Sequence, residues 1–193
     1  MSYDILSDYM PRKGAKGKWN LKMKPDEWYK KPDPWGVYFN TEEENKCSFI
    51  CSLIDYGGFG IDVGCGEGWF TESYANIKKF LGIDTSFIAI GRAKGRVHKA
   101  KYLVGDIRME GYKLDVDTVV LSEVLYYIHP DYWKTVSNNI KNMLKKKGQF
   151  IISVGQYFTE SDIKKIFPWC EFDQVYKLPS KKYEYNLIMS GRK

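Results

Sequence analysis

The sequence predicts an α/β protein built on a doubly wound, mostly parallel sheet of seven strands. Three observations carry that expectation: short apolar runs alternate with helix-period stretches, several of those runs end in a carboxylate or a glycine turn, and one run is β-branched like a strand buried on both faces. At 193 residues with 44% apolar content, the chain suits one domain with a sizeable core and has no room for a second.

The elements follow in order. Phe59 to Val63 reads as a first strand, Trp69 to Ile77 as a helix, and Phe80 to Ile83 as a second strand ending at Asp84. Thr85 or Ser86 can cap a helix from Phe87 to about His98. Lys101 to Val104 is a third strand ending at Gly105-Asp106, and Asp117-Thr118-Val119-Val120-Leu121 is the β-branched fourth. Apolar residues then recur at helical spacing from Pro130 to Leu144, with Lys145-Lys146-Lys147-Gly148 as the stop signal. Gln149 to Val154 is a fifth strand, Thr159-Glu160-Ser161-Asp162 opens a helix, and Glu171 to Lys177 and Tyr183 to Ser190 are two more strands. Those last two lack a long helix between them, so they are expected to pair as a hairpin.

Ahead of the sheet the character changes. Residues 1–36 hold four of the seven prolines, six aromatics of the kind of Trp19, Trp28 and Trp35, and many lysines, without periodicity. They read as an arm or lid, leaving 37–193 as the domain. Thr41-Glu42-Glu43-Glu44 opens a helix to about Ile54, with Cys47, Phe49, Ile50, Leu53 and Ile54 as its apolar face.

Charge and cysteines narrow the function classes. The net charge of +6 is concentrated between residues 11 and 31 and at Lys145–Lys147, a pattern suited to a solvated arm and a helix C-terminus, or to a phosphorylated or nucleic-acid partner. Cys47, Cys51, Cys65 and Cys170 lack paired zinc spacing and read as reduced thiols, so no metal is expected. No apolar run approaches the ~20 residues of a membrane span, and a cytoplasmic protein is expected.

The most informative stretch is Gly60-Ile61-Asp62-Val63-Gly64-Cys65-Gly66-Glu67-Gly68. Glycines at alternate positions let a strand turn sharply into a helix and bring backbone N–H groups against a ligand. A dinucleotide turn would want a third glycine where Trp69 stands, which disfavours a pyrophosphate. Asp62-x-Gly64-x-Gly66-x-Gly68 resembles instead the first motif of class I S-adenosylmethionine-dependent methyltransferases, with their Rossmann-like sheet and antiparallel inserted last strand. Ligands of such sheets bind at the carboxyl ends of the strands, where Asp84, Asp106-Ile107 and Ser122-Glu123 fall. Asp84 can accept from both ribose hydroxyls, Asp106 from the adenine amino group, and the Ile107 N–H can reach a ring nitrogen. Gly64 can meet the methionine ammonium while Asp62 orders the loop, and Cys65, Thr85 and Ser122 complete the expected cofactor wall.

Ser122-Glu123-Val124-Leu125-Tyr126-Tyr127, together with Asp33-Pro34-Trp35-Gly36, narrows the resemblance to the nodulation protein S family over roughly residues 33 to 155. That likeness implies methyl transfer to the amine of an amino sugar or nucleotide-linked sugar. Glu123 is then the group that orients the amine and takes its proton, with His129 as a second base. Tyr126 and Tyr127 supply hydroxyls and ring faces, one of them being expected in the core. Two other readings stand beside it. One is an RNA or other nucleic-acid methyltransferase, motivated by the basic arm, although the fourth strand lacks the Asn/Asp-Pro-Pro-Tyr tetrapeptide. The other is a cofactor-binding scaffold without catalysis.

Overall fold

The computed structural model describes residues 24–96, 99–109, 111–155, 157–181 and 184–193. Most of the basic arm, the Tyr183 start of the last strand, and His98, expected at a solvent-exposed helix end, lie outside the described residues.

After a single turn, α1 (Pro25–Trp28), the chain forms α2 (Thr41–Leu53), β1 (Phe59–Val63), α3 (Trp69–Tyr74), β2 (Lys79–Asp84), α4 (Phe87–Arg96), β3 (Lys101–Val104) and β4 (Val116–Ser122). There follow α5 (Trp133–Met143), β5 (Leu144–Gly155), α6 (Glu160–Ile166), β6 (Glu171–Pro179) and β7 (Tyr185–Arg192). The sheet order is β3-β2-β1-β4-β5-β7-β6. The first five strands are parallel, and β7 inserts antiparallel between β5 and β6, so the hairpin and the inserted last strand are both present.

Strand periodicity divides the core into two layers. Val119, Leu121, Phe150, Ile152, Leu187 and Met189 face α5 and α6, while their alternates Val120, Ile151 and Ile188 pack with Ile50 of α2 and Tyr74 of α3. Caps follow local chemistry: Asn40 accepts from the Glu42 and Glu43 N–H groups, Ser86 from that of Ala89, and Thr159 and Asp162 form a reciprocal capping box.

Two boundaries differ from expectation. Helix α3 ends at Tyr74, where the Asn76 and Ile77 N–H groups turn back onto Ser73 and Tyr74. The helix ends at Met143, directly ahead of the lysine run, but the strand after it starts at Leu144 and not at Gln149. Leu144 is already extended, and β5 pairs Leu144 with Val116 and Gln149 with Thr118, so Lys145–Gly148 bulge out of the ladder. Lys147 takes a φ of 65° there, and Lys145 reaches Asp117 at 3.0 Å. The strand order reverses between β1 and β4, which opens a crevice at the carboxyl end of the sheet.

Candidate active site

A cavity of about 430 Å³ fills that crevice. Its floor is the glycine loop after β1, which is tied to the next strand by the Gly64 and Cys65 N–H groups donating to the Ile83 carbonyl at 2.7 and 3.1 Å. Two glycines are required here. Gly64 has a φ of 75° and an added Cβ would lie 2.3 Å from Val124 Cγ2; Gly66 has a φ of 53° and its Cβ would lie 2.7 Å from the Tyr29 hydroxyl. Gly68, by contrast, is the left-handed residue that starts α3 and does not line the cavity.

The acids at the strand ends are held in different ways. Asp84 Oδ2 accepts from the Gly66 N–H at 2.9 Å and Oδ1 from the Ser86 N–H at 2.8 Å. Burial raises its pKa against the pull of those bonds. Asp62 is 3% exposed and accepts from the Thr71 hydroxyl at 2.6 Å. Burial pushes it up to about 7, opposed by the Thr71 bond and reinforced by the charge of Asp84. Between about pH 4 and 7 the folded protein therefore holds a proton that the unfolded chain has released. Stability is expected to fall across that window as pH rises, by up to about 4 kcal/mol from this group. Asp62→Asn should flatten the decline in urea midpoint between pH 5 and 7; an unchanged slope would contradict the assignment.

Asp106 is already engaged: Arg108 reaches it at 2.6 Å through Nη2 and 2.9 Å through Nε. Burial works to raise this carboxyl, yet the hydrogen bonds and charge of Arg108 hold it below its ordinary range. An adenine amino group approaching Asp106 would have to share it with that guanidinium. Thr85, Cys65, Ile107 and Ser122 also line the cavity, and the Ser122 hydroxyl and the Trp69 indole N–H are buried without a partner among the described residues. Spare polar atoms beside a Cβ-free loop and a paired strand-end carboxylate fit an adenosyl amino-acid ligand.

Across from the loop stands Glu123, a non-glycine residue at φ 57° directly after β4. Its Oε2 accepts from the Tyr126 hydroxyl and its Oε1 from the Ser153 hydroxyl, both at 2.7 Å. Lys46 of α2, buried at 3%, lies 3.7 Å from Oε1 and 2.8 Å from Glu43. Tyr126 is the buried tyrosine of the pair. Tyr127 is half-buried, its ring centroid 5.2 Å from both Trp28 and Trp35, which form an aromatic wall over the cavity.

His129 is a correction. Its Nδ1 accepts from the Asp131 N–H at 3.3 Å where it caps a short 3-10 turn, and it does not line the cavity. A proline follows it, which fixes the chain direction and carries the imidazole past the site.

Several residues of the site escaped the sequence reading: Lys46, Glu43, Arg108 and Tyr29. Lys46 sits among the residues of an amphipathic helix face, where periodicity counts it as polar filler. Glu67 of the loop was also missed: it is buried, ion-paired to Arg92 at 2.8 Å and Arg96 at 3.1 Å, and accepts from the Asp33 N–H. Asp26 caps α4 from the other side, accepting from Ser86 and Ile88. These contacts dock residues 24–36 on the domain.

Residues 61–152 match the family described as methyltransferase domain. Nodulation protein S of Azorhizobium caulinodans is 29% identical over 126 residues, which span 62% of this chain and 61% of that protein. Among solved structures, N-methyltransferase NodS from Bradyrhizobium japonicum WM9, in complex with S-adenosylhomocysteine, superposes with a TM-score of 0.72 at 24% identity over 86% of this chain and 95% of that one. The 1,6-didemethyltoxoflavin-N1-methyltransferase of Burkholderia thailandensis superposes at 0.71 with 16% identity, over 87% of this chain and 84% of the other. At these identities the structural likeness is one of fold. Among the described residues no helix is long and apolar enough to cross a membrane.

Proposed function

We propose that this chain is a class I S-adenosylmethionine-dependent methyltransferase, similar to nodulation protein S, that methylates the amine of a small acceptor, an amino sugar or nucleotide-linked sugar. The observation that carries the reading is the clamped carboxylate of Glu123 facing the glycine loop across one cavity, beneath a wall of Trp28, Trp35 and Tyr127.

The cofactor, S-adenosylmethionine, supplies when bound an electrophilic methyl group on a sulfonium sulfur. Asp84 would hold the ribose, Ser122 and the Gly64 backbone the amino-acid end, and Asp62 would keep the loop in place through Thr71. A displacement of this kind needs nucleophile and methyl group held in line more than it needs bond-making by the protein. Glu123 can supply that alignment. A carboxylate offers about four acceptor positions, and Ser153 and Tyr126 each take one. A lone pair on Oε2 is left for an amine N–H, and the carboxylate charge offsets the positive charge that grows on nitrogen. The ring faces of the aromatic wall suit the apolar face of a sugar or a planar base.

Transfer of radiolabelled methyl from S-adenosylmethionine into a source-cell extract, fractionated by chemical class, tests this reading. Label is expected in the small-molecule or glycan fraction. Label confined to nuclease-sensitive material would overturn it.

A further inference from the structure

An ammonium group buried in a protein interior loses several kcal/mol of hydration, and a lysine is kept there only when nearby anions and hydrogen bonds offset that loss. Lys46 is such a group, with a 3% exposed side chain on α2. Glu43, one turn before it, meets its Nζ at 2.8 Å. Glu123, far away in sequence on the loop after β4, lies at 3.7 Å, and the Phe70 ring is 5.9 Å from the charge. Burial works to strip the proton from Lys46, yet the charges of Glu123 and Glu43 keep it above the ordinary ammonium range.

The asymmetry at Glu123 is informative. Lys46 stands beside Oε1, the same oxygen that accepts from Ser153, while Oε2 meets Tyr126 alone among the described side chains. Oε1 thus has two protein neighbours and Oε2 one, at the edge of the cavity that Lys46 and Glu123 both line. Glu43 anchors Lys46 at that distance, and α2 itself is fixed by Asn40 at its start. We infer that Lys46 is a positioning residue for methyl transfer, which holds the Glu123 carboxylate in place and turns its Oε2 toward the acceptor. The inference rests on the role of Glu123 proposed above and adds a residue of a different element to that site.

The test is a double-mutant cycle. Lys46→Met keeps the aliphatic stem and removes the charge; Lys46→Gln is a second charge-removing variant, in case the first does not fold, and Lys46→Arg restores the charge. Each is made in the native and the Glu123→Gln backgrounds. Initial rates of label transfer are measured at saturating S-adenosylmethionine, with the small-molecule fraction of the source-cell extract as acceptor, and S-adenosylhomocysteine affinity is measured by calorimetry.

Loss of the Lys46 charge is expected to slow transfer about tenfold in the native background and to have little further effect once Glu123 is glutamine, because interacting residues are not additive. S-adenosylhomocysteine affinity should stay within about twofold, and Lys46→Arg should recover part of the rate. The same fold-loss in both backgrounds would mean that Lys46 acts independently of Glu123, and would overturn the inference while leaving the function standing. A fall in S-adenosylhomocysteine affinity with the saturated rate intact would also overturn it, making Lys46 a cofactor contact. If Glu123→Gln transfers like the native chain, or the native chain transfers nothing, the inference falls together with the reading beneath it.

Discussion

Glu123→Gln is expected to lower the rate of methyl transfer by on the order of 10² or more, with S-adenosylhomocysteine affinity nearly intact. The substitution preserves shape and one carbonyl acceptor, so Tyr126 and Ser153 keep a partner and the loop after β4 keeps its conformation. What disappears is the negative charge proposed to face the developing ammonium, and with it the anion beside Lys46. Electrostatic stabilisation at a water-poor site is worth several kcal/mol in the transition state and little in the ground state, so the effect should fall on turnover. Single-turnover rates and calorimetry separate the two. Equal turnover by variant and native protein would remove Glu123 from the reaction.

Asp84→Ala is expected to weaken S-adenosylhomocysteine binding by roughly 10- to 1000-fold, since each hydrogen bond to a charged group contributes about 1.5–3 kcal/mol. Two consequences combine. The proposed ribose acceptors are lost, and the N–H groups of Gly66 and Ser86 lose the carboxylate that holds the loop against the start of α4. Asp84→Asn retains one acceptor oxygen and should fall between the two. Calorimetric affinity indistinguishable from native in the alanine variant would sink the ribose assignment.

Much of the fold was legible because its signals are local. The β-branched run from Asp117, the Ser86 and Thr159 caps and the absence of a helix between the last two strands each depend on a few neighbouring residues. The lysine run marks the end of its helix by the same local logic, whereas pairing with β4 and the contact of Lys145 with Asp117 make it a bulge within β5. At the site, Asp84 and Glu123 were readable as ends of strands, because the sheet brings every strand end to one edge. His129 was read into the site by proximity in sequence, and the 3-10 turns after β4 direct it elsewhere.

Local pattern in the chain thus determined the sheet, its glycine loop and the strand-end acids, since hydrogen-bonding periodicity and the conformational freedom of glycine act over a few residues. Which charges meet was decided by packing. Lys46 beside Glu123, and Glu67 between two arginines and the Asp33 backbone, are encounters set by helix placement against the sheet. Coulomb energy depends on separation and burial in three dimensions, and neither quantity is written in the order of residues along the chain.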